Sequence, residues 1–325
     1  MKVKTKGKIK NMFFPLYSLY RRIVNYYYLH NAKKVLDKRF FSMFHRHINW
    51  DNPVDLNEKI NWQKLHEDMH EWAKLADKYA VREYVSQKGL SDILVPLYGK
   101  YDTVQELFED WEHFPDEFVI KSNNGCGHVE IISQENGGKK AVNKQELAKE
   151  LRLWLAEKDY GIHKGEFHYL YIKNCIIVEQ LMKDETIKEF SSSPIDYKFY
   201  CCDGKPYICY VSYGRTLSAT GEHLRMGNVY DLKWNERPEL MAEHEERRKL
   251  DRPYNWENMV EIAEILSSGM PQARIDLYNI EGKIYFGEIT MTNAGGFDTE
   301  FTEELYVSMG NNITHDLSKA ENEFA

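Results

Sequence analysis

The sequence lacks the marks of several large protein classes. Its five cysteines are odd in number and form no C-x-x-C pair, which argues against a disulfide framework or a structural zinc site. No uninterrupted apolar run is long enough to span a bilayer, and Pro15 and Arg21 interrupt any secretory signal. We therefore expect a cytoplasmic protein with reduced thiols.

Two common phosphate-binding fingerprints are also missing. A Walker loop requires G-K-[S/T] before a helix, and a dinucleotide fingerprint requires G-x-G-x-x-G between a strand and a helix. The segment FVIKSNNGCGHVEII, residues 118–132, has neither pattern and joins two predicted strands. It predicts a hairpin lid, in which backbone amides of Asn124, Gly125 and Gly127 lie over phosphates that Lys121 neutralises. A turn that binds no ligand is the alternative.

Acidic residues are nearly absent from the first 48 positions, which hold twelve Lys or Arg against Asp37 alone. The remaining chain carries 31 basic and 50 acidic residues, so a basic arm of charge +11 precedes a body of charge −19. The acidic body argues against a nucleic-acid partner. Lysines alternate over residues 2–10, ahead of MFFPLYSLYRRIVNYYYL. They predict peripheral contact of residues 1–30 with an anionic membrane at the inner face of the plasma membrane. Packing of this amphipathic segment onto the body is the alternative.

The chain is long enough for two lobes, and 42% hydrophobic residues are typical of a folded protein. Apolar spacing predicts helices at 56–65, 72–85, 143–158 and 257–267, and strands at 94–97, 118–121, 128–133 and 174–182. A further hairpin is predicted at 196–215. Because strands adjacent in sequence pair as hairpins, we predict α+β lobes of largely antiparallel sheet. The predicted units are a basic arm at 1–50, a helical part at 51–115, lobes at 116–183 and 184–310, and a polar tail at 311–325.

The segment ARIDLYNIEGKIYFGEIT, residues 273–290, alternates apolar and polar residues around a central Glu-Gly and predicts a β-hairpin. We expect a three-residue loop at 280–282, because Glu is a poor residue for the positive φ of a two-residue turn. This register places Arg274 opposite Glu288, with Asp276 as the diagonal neighbour of Glu288 on the same face. A two-residue loop would place the two carboxylates on opposite faces.

The hairpin predicts a metal and phosphate site. Diagonal neighbours lie about 7 to 8 Å apart at Cα, so one or two Mg²⁺ ions bridge Asp276 and Glu288 and share their remaining positions with water and nucleotide phosphates. Arg274 then binds phosphate or opposes negative charge that develops during transfer. A surface hairpin with a cross-strand Arg–Glu pair is the alternative.

Five segments, taken in order, resemble the ATP-grasp superfamily. They are the helix with Asp77-Lys78, FVIKSNNGCG, IIVEQLM, DYKFYCCDGKPYICYVSYGR, and the hairpin from ARIDLY to FGEIT. DLNEKINWQKL and ADKYAVREYV are similar to the TupA-like branch, which belongs to teichuronopeptide and bacterial surface-polysaccharide biosynthesis. The resemblance runs from about Pro53 to about Gly310.

The resemblance implies an ATP-grasp fold and an ATP-dependent carboxylate–amine ligase, in which ATP converts a carboxylate to an acyl phosphate and an amine displaces phosphate. By family position, Arg274 and Lys121 serve the phosphoryl transfer, and Asp276 and Glu288 bind Mg²⁺. For ATP binding, the resemblance implies Lys78 and Lys121 at the phosphates and Glu179, Gln180 and Leu181 at the adenine hinge, beside the loop residues Asn124, Gly125 and Gly127. Lys198 and Arg215 reach phosphate or the substrate carboxylate, or are exposed hairpin charges that bind no ligand.

One position departs from the family pattern. Many ATP-grasp ligases have Glu-x-Asn at the last metal position, whereas here Glu288 is followed by Thr290. Three ligands can occupy this position of the Mg²⁺ ion: the hydroxyl of Thr290, the side chain of Asn293, or a water molecule.

The leading hypothesis is a ligase that joins an amino acid or other amine to a uronic-acid-type carboxylate of a surface glycan or its precursor. Three alternatives stay open. They are a glycosyltransferase that uses a sugar nucleotide and a metal, an ATP-grasp phosphotransferase acting on a hydroxyl, and a non-catalytic membrane-docked assembly factor.

Overall fold

The structure is a computed structural model that describes residues 14–158, 160–191, 193–217, 223–243 and 247–314, with side chains left out at 14–21, 215–217 and 223–225. The helices of these residues are α1 Phe14–His30, α2 Ala32–Phe44, α3 Leu56–His66, α4 Met69–Ala76, α5 Val81–Gln87, α6 Val104–Glu109, α7 Lys144–Ala156, α8 Trp256–Ser267 and α9 Glu303–Asn311. Asp55 caps α3 and Asn143 caps α7, as their sequences predict.

Two antiparallel sheets form the framework. The small sheet has the order β1-β4-β2-β3, and its strands are β1 Leu97–Tyr101, β2 Phe118–Ser122, β3 Val129–Ile132 and β4 Ile176–Glu179. The large sheet has the order β7-β6-β5-β8-β9, and its strands are β5 Asp196–Cys202, β6 Lys205–Leu217, β7 His223–Tyr230, β8 Gln272–Ile280 and β9 Lys283–Thr290. Neighbouring strands pair antiparallel in both sheets. The predicted α+β class with largely antiparallel sheets is confirmed.

The large sheet is covered on both faces. Phe199 of β5 stacks on Trp256 of α8 with ring centroids 5.2 Å apart, whereas its neighbour Tyr200 points to the other face and meets Phe301 at 5.1 Å. Both residues are buried, and each belongs to a different apolar cluster. Because side chains alternate along a strand, burial on both faces makes β5 wholly buried.

The predicted segment at 51–115 contributes to both sheets. Its helices α3, α4 and α5 place buried side chains in the clusters that cover the large sheet. Strand β1, in contrast, pairs with β4 of the small sheet. The chain therefore enters the small lobe before the boundary at residue 116.

Three predicted elements have different bounds. The helix predicted at 72–85 is interrupted, because the Asp77 side chain accepts the amides of Tyr79 and Ala80 and forms a turn between α4 and α5. The strand predicted at 94–97 is wrong, since pairing begins only at Leu97. The strand predicted at 174–182 is shorter, because Asn174 donates to carbonyls at the end of α7 instead of extending β4.

The basic arm packs partly onto the body. Ala32, Leu36 and Phe40 of α2 are buried in the cluster that covers the large sheet. Residues 1–13 of the arm and 315–325 of the tail lie outside the described residues. In the part of the chain that the structure describes, no helix is long and apolar enough to cross a membrane.

The turn between β8 and β9 has two residues, Glu281 with φ 50° and Gly282 with φ 84°, and Ile280 pairs with Lys283. The prediction of a three-residue loop is therefore wrong. Glu281 accepts a left-handed backbone because the surrounding structure holds the turn. The Gly282 carbonyl accepts hydrogen bonds from Tyr254 at 3.1 Å and from the Asn255 side chain at 2.9 Å.

A β-bulge at Gly287 returns the two carboxylates to one face. Beyond the bulge Asp276 pairs directly with Glu288, and Arg274 pairs with Thr290. The predicted pairing of Arg274 with Glu288 is wrong, and the carboxylates are direct rather than diagonal neighbours. One extra residue on β9 offsets the shorter turn, so the shared face predicted for these side chains is retained. Glycine is required at the bulge, because a Cβ there would lie 2.9 Å from the Asp276 carbonyl oxygen.

Replacement of Glu281 tests the strain in the turn. Glu281→Asn creates an Asn-Gly pair that suits this backbone, and we expect it to raise the free energy of unfolding by about 1 kcal/mol. Glu281→Gln removes the same charge without the backbone preference and is expected to have no effect. Urea unfolding measures both variants, and equal stabilisation by Gln would contradict the backbone explanation.

Candidate active site

Five polar side chains meet on the hairpin and the turn after it. Arg274 donates from Nε to Asp276 Oδ1 at 2.7 Å, and from Nη2 to Asp276 Oδ2 at 2.8 Å. The same Nη2 contacts Glu288 Oε1 at 2.7 Å and Thr290 Oγ1 at 3.1 Å. Nη1 donates to the side-chain oxygen of Asn293. The structure thus brings together Arg274 and all four residues predicted as metal ligands.

A second cation reaches Asp276 from β5. Lys198 Nζ lies 2.6 Å from Asp276 Oδ2 and 3.3 Å from Asp196 Oδ2, and all three side chains are buried. Burial would raise the pKa of Asp276, but Arg274 and Lys198 outweigh it and lower that pKa to about 2. Burial also lowers the pKa of Lys198, against the attraction of Asp276. Asp276 is therefore a permanent anion between two cations.

The donors of this cluster suit Mg²⁺. One guanidinium nitrogen already contacts oxygens of Asp276 and Glu288, so a single small cation at that point reaches both carboxylates. Carboxylate, hydroxyl and amide oxygens are the ligands that Mg²⁺ prefers. Among the described residues, no three His, Cys, Asp or Glu side chains already stand as a metal cluster. A cation at the position of Arg274 Nη2 would displace that nitrogen from the two carboxylates.

The strand end of the small lobe carries a second ion-pair group. Glu179 of β4 accepts a hydrogen bond from Lys121 Nζ at 2.8 Å and another from Arg82 at 3.3 Å. Arg82 also donates to the Val95 carbonyl. The amide of Gln180 donates to the carbonyl of the residue before β1 at 3.0 Å. Glu179 and Gln180 thus anchor the predicted hinge, while Leu181 follows them as a partly exposed residue.

The glycine-containing turn is held by side chains from two other segments. Gly125 and Gly127 have positive φ, and Lys78 Nζ donates to the Gly125 carbonyl. Tyr160 accepts a hydrogen bond from the Cys126 amide at 3.0 Å and packs so closely that a Cβ at Gly125 would lie 2.6 Å from its ring. Tyr160 therefore holds an amide of the predicted phosphate loop.

The side chain of Asn124 is buried and connects two neighbouring segments. It accepts a hydrogen bond from Ser122 at 2.5 Å and donates one to Asn174 at 3.0 Å. Only its backbone is available for the role predicted from the sequence.

The two lobes face each other across this site. Burial lowers the pKa of Lys78, Glu288 of the large sheet opposes that shift, and Lys121 of the small sheet reinforces it. These charges are therefore within electrostatic range of one another. The lysines predicted to bind phosphates and the carboxylate predicted to bind a metal therefore border one region, called the cleft below.

Helix α3 supports the site, and ten of its eleven residues are buried, six of them polar or charged. Lys64 Nζ donates to the carbonyls of Lys164 and Gly295 at 2.8 and 2.6 Å. Asn61 donates to the Gly296 carbonyl at 2.7 Å. These bonds hold the turn that carries Asn293, the partner of the arginine.

Three of these residues were not predicted as site residues from the sequence. Two of them, Lys64 and Arg82, lie in DLNEKINWQKL and ADKYAVREYV, the segments that are similar to the TupA-like branch, and this similarity was the available signal. Tyr160 carries no local signal, because its contact with Cys126 joins residues 34 positions apart. Lys198 is placed beside Asp276, whereas the Arg215 side chain lies outside the described residues.

A family model described as TupA-like ATPgrasp matches residues 58–314. The chain belongs to the TupA-like ATP-grasp family. The predicted family is confirmed, and the prediction of an ATP-grasp enzyme is confirmed at the level of the family. A comparison with curated proteins gave no match.

This ATP-grasp chain is also similar to solved ligase structures. D-alanine–D-alanine ligase from Bacillus anthracis is 15% identical, with a TM-score of 0.41 over 76% of this chain and 66% of that one. The same enzyme from Helicobacter pylori is 12% identical, with a TM-score of 0.43 over 79% and 69%. L-amino acid ligase from Bacillus licheniformis is 13% identical, with a TM-score of 0.44 over 82% and 56%. The chain thus spans between about half and about two thirds of these structures.

The two carboxylates differ in their contribution to stability. The Asp276 side chain is 3% exposed and that of Glu288 is 42% exposed. Asp276→Asn strands two buried cations and is expected to lower the free energy of unfolding by about 3 to 5 kcal/mol. Glu288→Gln is expected to cost less than about 1 kcal/mol.

Urea unfolding measures both variants. Because the folded-state pKa of Asp276 is depressed to about 2 from 3.8, its contribution is complete above pH 4 and is lost as pH falls towards 2. Equal losses for the two variants would contradict the charge arrangement.

Two lysines of α3 form a matched pair. Lys64→Met leaves the Gly295 carbonyl without its donor, and Lys59→Met does the same to the Ile313 carbonyl, which lies away from the site. Both variants are expected to lose about 1 to 3 kcal/mol of stability. Only Lys64→Met is expected to weaken Mg-ADP binding, measured as the ligand-induced rise in Tm of each variant. Equal weakening by Lys59→Met would show that α3 acts through overall stability.

Proposed function

We propose that this ATP-grasp protein is an ATP-dependent carboxylate–amine ligase. The observation that carries the proposal is the position of Lys78, which donates to the Gly125 carbonyl of the glycine-containing turn and is attracted by Glu288 of the Arg274–Asp276–Glu288 cluster, with Lys121 close to Lys78. Phosphoryl transfer requires alignment and neutralisation of charge more than covalent help from the protein. Charged side chains from the turn after α4, from the small sheet and from the large sheet supply this neutralisation.

The proposed reaction has two steps. A carboxylate oxygen of the substrate attacks the γ-phosphorus of ATP, the bond to the β,γ-bridging oxygen breaks, and ADP leaves an acyl phosphate behind. An amine nitrogen then attacks the acyl carbon, the carbon–oxygen bond to phosphate breaks, and the amine loses a proton. The products are an amide, ADP and phosphate.

The residues divide the work between the lobes. Lys78 and Lys121 neutralise nucleotide phosphates, and Arg274 opposes charge on the transferred phosphoryl group. Lys198 holds Asp276 ionised, and Asn293 fixes the direction of the Arg274 guanidinium. Mg²⁺ held by Asp276 and Glu288, beside Thr290 and Asn293, would neutralise phosphate oxygens further.

The proposed carboxylate is of the uronic-acid type, in a bacterial surface polysaccharide or its precursor, and the proposed amine is an amino acid or a similar compound. Membership of the TupA-like branch supports this substrate class. ATP as phosphoryl donor places the proposed reaction in the cytoplasm. The D-alanine and L-amino acid ligases named above are similar in structure, and their substrates are not used to infer those of this chain.

Hydroxylamine tests the reaction class, because it serves as a small amine and converts an acyl phosphate to a hydroxamate. The protein is incubated with Mg-ATP, hydroxylamine and a panel of uronic acids and uronate nucleotides. We expect hydroxamate and free phosphate in equal amounts. Glu288→Gln is expected to lower the rate at least about a hundredfold. Glu281→Gln, on the same hairpin but outside the cleft, is expected to leave it unchanged.

The other reaction classes give different results. A stable phosphorylated product without free phosphate would indicate phosphotransfer to a hydroxyl. Binding can be followed without a substrate, because a ligand at about 100 times its dissociation constant adds roughly 2.7 kcal/mol to stability. A rise in Tm with UDP-sugars and none with Mg-ADP would overturn the proposal in favour of a glycosyltransferase.

A further inference from the structure

The outer face of α1 exposes three large apolar side chains at helical spacing. Ile23 is 62% exposed, Tyr26 is 64% exposed and Tyr27 is 49% exposed. Residues three and four positions apart lie on the same side of a helix, so these side chains form one patch. In the sequence, apolar residues also stand seven, four and three positions before Ile23.

The opposite side of α1 fixes the direction of this patch. Tyr28 and Leu29 pack against the apolar cluster that covers the large sheet. The helix also contacts the turn Ile162–Lys164 of the body. The buried side of α1 is therefore occupied, and the patch of Ile23, Tyr26 and Tyr27 faces away from the protein.

Basic side chains are exposed on α1 and on the helix that follows it. Arg22 is exposed beside it, and Lys33, Lys34 and Lys38 are exposed on α2. The first 48 residues carry a charge of +11, whereas the rest of the chain carries −19. An anionic surface therefore attracts this end of the molecule and repels the other, which orients the protein before contact.

We propose that α1 is a docking surface for an anionic lipid bilayer. The helix lies along the membrane with Ile23, Tyr26 and Tyr27 among the lipid headgroups and with the lysines of α2 near lipid phosphates. Tyrosine suits this depth, because its ring is apolar and its hydroxyl remains hydrated. A lipid surface supplies both partners that the patch requires, namely an apolar layer and a dense negative charge. This inference does not depend on the proposed ligase reaction.

Vesicle sedimentation of the full-length protein tests the proposal. The probes are vesicles of phosphatidylcholine alone and of phosphatidylcholine mixed with phosphatidylglycerol. We expect the protein to sediment with the mixed vesicles at low ionic strength, to be released by salt, and to stay in solution with phosphatidylcholine alone. Failure to bind the mixed vesicles at low ionic strength would overturn the proposal.

Matched variants distinguish docking through α1 from nonspecific adsorption to vesicles. Ile23→Asp is expected to reduce partitioning at least about tenfold, because it removes a large apolar group from the interface. Lys33→Glu with Lys34→Glu is expected to do the same through charge. Leu153→Asp is the control, since Leu153 is 66% exposed on α7, outside the arm. It is expected to bind as the wild type does, with Tm values showing that all variants are folded.

Two other outcomes would also overturn the proposal. If Leu153→Asp lost binding as Ile23→Asp does, the effect would not belong to α1. If the protein formed dimers without lipid, and Ile23→Asp dissolved them while lipid binding stayed unchanged, the patch would be a contact between copies of this chain. Light scattering without vesicles measures this second outcome.

Discussion

The site depends on one buried carboxylate held between two cations. Asp276 is an anion because Arg274 and Lys198 approach it from β8 and β5, and Asp276 in turn favours the charged form of both cations. Removal of any member leaves an uncompensated charge away from water, which costs far more than the net energy of the pair. The guanidinium direction then follows, since Asn293 accepts a hydrogen bond from Nη1 and Glu288 shares Nη2 with Asp276.

Two local irregularities make this arrangement compatible with the sheet. The two-residue turn shifts the pairing of β9 by one residue from the predicted register, and the bulge at Gly287 adds a second shift of one residue before Glu288, which restores the face. Either feature alone would send the two carboxylates to opposite faces. The positive φ at Glu281 and the glycine at position 287 are thus both needed to keep Asp276 and Glu288 on one face of the sheet.

The cleft is closed by segments that lie between the regular elements. Lys78 from the turn after α4 and Tyr160 from the stretch after α7 both hold the glycine-containing loop. Further along the latter stretch, Glu166 accepts a hydrogen bond from Thr292, next to Asn293 of the large lobe. Loop positions set by a rigid framework are where binding residues commonly occur, and here they connect both sheets.

The sequence by itself determined most of the elements, because caps such as Asp55 and Asn143 and the alternation along β8 depend on neighbours a few positions away. It also marked Arg274, Asp276 and Glu288 as one group. Only the tertiary structure decided the register that joins them. Local preference argues against positive φ at Glu281, but contacts from Tyr254 and Asn255 hold that turn. Tyr160 reaches the glycine-containing loop from a segment 34 positions away, and no local sequence pattern records a contact of that range.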